Sequence, residues 1–246
     1  MISSGLQDEA QRQPGAATAM TDETIDWLNE QVPVQALAEQ LTELGFGLRI
    51  VPAVFNPDPD ERQEAACWFD GASELHVGVT ADTDVDLLVF MAAYELADRM
   101  LPAPVEGDLL QEALVTAHAF RRCVSLGADG ILLGEAQDLA RSASAASLGQ
   151  VDAEGVAELP FRLWTLLVAQ PEADLQPLLA ELERSQPRIV SLAFGLLRAT
   201  GRELGSDETS WQRTLRALRT VAHAAAGERP STRERLAARP PDPERS

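Results

Sequence analysis

Lysine is absent from this chain: all 20 of its basic residues are arginine. Besides these fixed guanidinium charges there are only three histidines, His76, His118 and His223. So few imidazoles exclude a histidine-rich metal cage and leave any zinc site poor in ligands. Cysteine occurs twice, as Cys67 and Cys123, far apart and in no motif. That excludes a disulfide framework or a zinc ribbon, and both residues read as free core thiols. Aromatic residues make up 5% of the chain and tyrosine occurs once, as Tyr94, so Leu, Val and Ala must fill most of the core. No apolar run approaches the roughly 18–20 residues needed to cross a bilayer. The opening MISSGLQDEAQRQPG lacks a basic region followed by an apolar stretch, so the chain is expected in the cytoplasm, and Met20 is an alternative start.

What the chain has in excess is acid. The formal net charge is −19, unevenly distributed. Residues 1–120 hold 22 acidic residues against 4 arginines, residues 121–197 hold 10 against 6, and residues 198–246 hold 7 against 10. An acidic body repels nucleic-acid phosphates and favours solubility. The basic end suits an acidic partner or the chain's own acidic half. Arg213, Arg216 and Arg219 recur at i, i+3 and i+6, forming a stripe that reads as solvated surface or as a docking face for another protein.

Apolar content of 45% over 246 residues supports a sizeable core. The fold expected is α+β and predominantly α-helical: a small three-stranded antiparallel element packed with a central buried helix, then a helical C-terminal region. Residues 1–20 read as a disordered lead-in, 21–106 as the α+β domain, 107–227 as the helical region, and 228–246 as a disordered Arg/Pro-rich tail. Thr21 should cap a helix or helix pair over 22–44, interrupted at Pro33. Strands follow over 47–55, 65–69 and 74–79, separated by the Asn56 to Asp60 loop and an Asp70-Gly71 hairpin turn. Alternation in the third strand sets Leu75, Val77 and Val79 against Glu74, His76 and Gly78.

The longest apolar run, Asp84 to Leu101, reads as the central helix, capped by Thr80, Thr83 or Asp84 and stopped by Pro102 and Pro104. Helices are then expected over 108–126, ending at the turn from Gly127 to Gly130, and over 131–145. Pro160 should stand in the first turn of the next, followed by 175–185, 187–200 and a last helix capped by Ser206 and stopped by Gly227.

One window carries chemistry. Zinc peptidases of the H-E-x-x-H type place two histidines at i and i+4 on one helix face, with a glutamate between them that polarises the zinc-bound water. The run Tyr94-Glu95-Leu96-Ala97-Asp98 puts Glu95 at the general-base position and Tyr94 and Asp98 at the two ligand positions. A helix, a strand, a hairpin and another strand lead into it. In this order residues 36–101 resemble the zincin-like domain of the ImmA/IrrE family, whose members are regulatory metallopeptidases often acting on transcriptional repressors. The resemblance implies a third ligand from the next helix, where Glu112 and His118 are the candidates. Both histidines of the motif are replaced, so the family frame, if present, is expected to have lost its metal.

Three readings follow. The first is a non-catalytic regulatory or scaffold protein that binds another protein, on a zincin-like frame without cofactor. The second is a metal-dependent peptidase with an atypical zinc site drawn from Glu95, Asp98, Glu112 and His118. The third is a purely helical adaptor. A plainer account of the cluster is an ion pair between Glu95 and Arg99 at i,i+4, worth roughly 0.3–0.5 kcal/mol.

Overall fold

The computed structural model describes residues 22–53, 66–71, 73–80, 83–101 and 108–225. The architecture is α+β and predominantly helical, and the chain divides into two compact units, Met1–Leu88 and Val89–Ser246. The division falls inside a helix rather than at the 106/107 boundary expected from the sequence. The Thr21 cap, the end of the first strand at 54–55, the 56–60 loop, the prolines at 102 and 104, the Gly227 stop and both terminal segments lie outside the described residues.

In the first unit the expected break at Pro33 yields two helices, α1 (Asp22–Asn29) and α2 (Val32–Glu43), with Pro33 in the first turn of α2, where a missing N–H costs nothing. Both pack on β1 (Gly47–Pro52). The sheet is completed by β2 (Ala66–Asp70) and β3 (Glu74–Val79) in the order β1-β3-β2. It is mixed, where an antiparallel element was expected. β2 and β3 form the anticipated antiparallel hairpin, but β1 runs parallel to β3, with Gly47 opposite Glu74 and Pro52 opposite Val79. The hairpin places β3 in the middle of the sheet. Leu75, Val77 and Val79 are accordingly fully buried, and His76 on the opposite face is only 8% exposed. Gly71, at φ 66°, supplies the left-handed residue of the hairpin turn.

Helix α3 (Val85–Met100) is capped by Asp84, whose Oδ1 accepts the Leu87 N–H at 2.7 Å. From Val89 onward α3 belongs to the second unit. There Phe90 meets Phe120 of α4 (Leu109–Leu126), with ring centroids 5.3 Å apart. Asp108 caps α4 through the Leu110 N–H, and Gly127 at φ 73° ends it, as the sequence indicated. Next come α5 (Gly130–Ser147) and α6 (Ala153–Ala169).

Pro160 is not in the first turn of α6. Asp152 caps that helix a full two turns earlier, its Oδ1 accepting the Gly155 N–H at 2.8 Å, so Pro160 sits inside. Helix α6 is the best-buried element of this unit: Leu159 to Phe161 and Leu163 to Val168 are all buried, and α4, α5 and α8 (Pro187–Thr200) pack around it. A 3-10 turn, Glu172–Leu175, leads into α7 (Gln176–Ser185), which packs on α5 and α8. Helix α9 (Glu208–Ala225) closes the unit against α8 and α4. Its N-terminal bonds come from Asp207 rather than Ser206, because Asp207 accepts from both the Ser210 N–H and the Ser210 hydroxyl. Arg202 donates to the carbonyls of Leu167 and Gln170 at 2.9 and 3.0 Å, satisfying orphan groups at the C-terminus of α6.

Two glycines separate backbone strain from helix propensity. Nothing lies within 4 Å of a Cβ built on either Gly127 or Gly134. Gly127→Ala should cost about 1 kcal/mol, the penalty of a left-handed backbone. Gly134→Ala, on the exposed face of α5, should stabilise by about 0.5–1 kcal/mol. Denaturant unfolding of the two variants checks this, and shifts of the same sign would contradict it.

Candidate functional site

The window that resembles a metallopeptidase motif lies in the part of α3 belonging to the helical unit. The only group of three or more His, Cys, Asp or Glu side chains among the described residues with ligand atoms within 4.8 Å of one another is Asp70, Glu74 and His76, on the sheet. Glu95, Asp98, Glu112 and His118 do not come together in this way.

Their individual environments agree. Burial raises the Tyr94 phenol above its ordinary value, and the nearby carboxylates of Glu112, Asp98 and Glu95 raise it further. It therefore stays protonated and is a poor ligand. Burial also raises Glu95, with Asp98 adding to the effect and Arg99 opposing it. His118 stacks flat on Trp211, with ring centroids 4.0 Å apart and planes 4° apart. Among the described residues its buried Nε2 has no hydrogen-bond partner, and neither has the Trp211 indole nitrogen. Burial, followed by Arg121 and Arg122, lowers the His118 pKa to about 4, so the ring is neutral. A raised phenol, a raised glutamate and a stacked imidazole are not the donor set that a zincin needs.

What the window does contribute is a wall. Tyr94 and Phe90 line a cavity of about 300 Å³ in the helical unit, at the lower end of the usual range for small-ligand clefts. Phe120 from α4 and Phe161 from α6 complete the aromatic lining, and three carboxylates reach it, Glu112, Glu135 and Glu158. Among the described residues Arg162 is the one basic member of the lining, and it is occupied: Nε donates to Glu135 at 2.7 Å, Nη2 to Asp138 at 2.7 Å and Nη1 to the Ser142 hydroxyl at 3.4 Å. Burial pulls the guanidinium down, and these carboxylate bonds more than offset it, leaving its pKa raised. The same bonds hold Asp138 below the ordinary carboxylate range. Glu112 and Glu158 have no hydrogen-bond or ion-pair partner among the described residues.

The sheet carries a second polar group. His76 Nε2 lies 2.9 Å from Glu74 Oε2 and 3.8 Å from Asp70 Oδ2. Arg49 approaches the same Glu74 oxygen at 3.9 Å, and the Trp68 ring leans on the imidazole at 5.4 Å. The alternation of β3 placed Glu74 and His76 on one face, but Asp70 joins them only through its pairing with Glu74 across the hairpin. A resident guanidinium beside the shared oxygen makes this an ion-pair cluster at least as much as a cation site. Of the basic stripe on α9, Arg219 is paired within the unit, to Asp108 at 2.8 Å. Arg216 bonds the Gln212 carbonyl of its own helix, and Arg213 is exposed.

Two titrations check these environments. Tyr94 is the chain's single tyrosine, so tyrosinate absorbance reads it alone. Glu112→Gln removes a negative neighbour and should lower the Tyr94 pKa toward its ordinary value; an unchanged titration would place Glu112 too far away to matter. For His118 the unfolded chain takes up a proton near pH 6.5 and the folded chain only near pH 4. Stability from this group is therefore complete above pH 6.5 and falls by about 3 kcal/mol as pH drops through that window. His118→Phe keeps a ring against Trp211 and should flatten this part of the stability-pH profile.

Comparison with protein-family models, with curated proteins and with solved structures finds no match to this chain. No described helix is long and apolar enough to cross a membrane.

Proposed function

We propose that this chain is a non-catalytic regulatory or scaffold protein that acts by binding another protein. The observation that carries this reading is the cavity of the helical unit. Four aromatic residues line it, and two of its carboxylates have no hydrogen-bond or ion-pair partner among the described residues. Aromatic pockets are where protein interfaces concentrate their binding energy, because large rings bury much area with little loss of rotamer freedom. The separation of Glu95, Asp98, Glu112 and His118 supports the same reading, since a peptidase would need them around one ion. Arg213, exposed on α9, is the member of the basic stripe open to a contact with an acidic partner.

The test uses the full-length chain as bait, beside a Thr116→Trp variant. Thr116 lines the cavity and is half-buried, so an indole there fills the space without changing any charge. The expected outcome is a protein that the wild type retains and the variant loses at unchanged helical content by circular dichroism. It should also bind the wild type when both are purified. The contrary outcome is zinc held stoichiometrically by the purified chain and released on Asp98→Ala or His118→Ala, which would replace this proposal with the peptidase reading.

A further inference from the structure

We infer that the cavity of the helical unit receives the guanidinium of an arginine side chain presented by the bound protein. This rests on the protein-binding reading and names the chemistry that the site selects. Four rings, Phe90, Tyr94, Phe120 and Phe161, offer π-faces and edges around a volume of about 300 Å³. Phe90 stands 6.0 Å from Tyr94 and 5.3 Å from Phe120, centroid to centroid, so the rings pack on one another, and a flat group meets the partly exposed Phe90 and Tyr94 from the cavity side rather than by entering between rings.

The charge of the lining decides what that flat group is. Glu135 is neutralised by Arg162, and Arg162 is itself shared with Asp138. Among the described residues, the Glu112 and Glu158 side chains have no hydrogen-bond or ion-pair partner, and the Arg162 guanidinium in the same lining is directed to Glu135 and Asp138. A carboxylate ligand would meet this negative field and find Arg162 already engaged. A neutral aromatic ligand would use the rings but leave both carboxylates unpaired. A planar cation satisfies both features, stacking on the rings and forking its N–H groups onto carboxylate oxygens. A guanidinium fits better than an ammonium, which is compact, more strongly hydrated and cannot stack.

The experiment uses the one tyrosine. Full-length protein grown with 3-fluorotyrosine carries a single fluorine resonance, from Tyr94 in the cavity wall. It is titrated with Nα-acetyl-arginine methylamide and, separately, with the citrulline derivative, which keeps the planar shape and loses the charge. The arginine derivative should shift the line saturably and bind at least tenfold more tightly than the citrulline one. The double substitution Glu112→Gln with Glu158→Gln should weaken it at least tenfold while the unfolding temperature stays in place. Equal shifts from both derivatives, no shift from either, or arginine binding that survives the double substitution would each overturn the inference. A protein retained through the cavity with no discrimination between the derivatives refutes the guanidinium assignment and leaves the protein-binding reading standing. Discrimination with no protein retained supports the cation site and removes that reading.

Discussion

The helical unit depends on a fork of charge between two helices. Arg162 projects from α6 and binds Glu135 and Asp138, three residues apart on α5, each at 2.7 Å. Residues at that spacing share a helix face, so one planar guanidinium engages both and fixes how α5 lies on α6. Arg162 and Glu135 are each about a quarter exposed, so removing the arginine would leave Glu135 without its partner in a partly desolvated place, a larger loss than that of a fully solvated surface pair, while Asp138, half exposed, keeps Arg141. The same interaction forms one side of the cavity. It consumes the only basic group in the lining, and the remaining carboxylates are left to whatever enters.

Much of the fold was legible because its signals are local. Asp108, Gly127 and the Asp70-Gly71 turn act through backbone geometry within a few residues, and each does what its residue type requires. Pro160 misled because a proline signals a first turn only when no stronger cap precedes it, and Asp152 does precede it. The pairing of β1 with β3 was not readable for a different reason. Sequential strands usually pair as neighbours, so the chain order β1, β2, β3 suggested a meander. The alternation of β1 records which face is buried and says nothing about which partner it takes or in which direction.

The site was legible in two residues. Tyr94 drew attention by standing where a histidine ligand would stand, and it does line the cavity, although as a wall and not as a ligand. Glu112 was named as a candidate third zinc ligand, and it too lines the cavity. Glu135, Glu158, Phe161 and Arg162 went unremarked. They come from two further helices, at spacings no motif describes, and only tertiary packing brings them to one place. A constellation assembled from four helices has no sequence period, whereas a motif on one helix does.

The absence of lysine bears on what that cavity can do. Every permanent side-chain cation in this chain is a guanidinium, and in the helical unit several are committed to structure: Arg162 to α5, Arg202 to the end of α6, Arg219 to the cap residue of α4. Each of these bonds meets a carboxylate or a helix-terminal carbonyl, so redeploying the arginine would cost the fold a charge-assisted hydrogen bond. Glu112 and Glu158 stand outside this arrangement. The exposed Glu112 and the partly buried Glu158 line the cavity with the partly exposed Phe90 and Tyr94, a combination of carboxylates and rings that suits a cation. The lining itself supplies no second arginine, so the complement has to arrive from elsewhere.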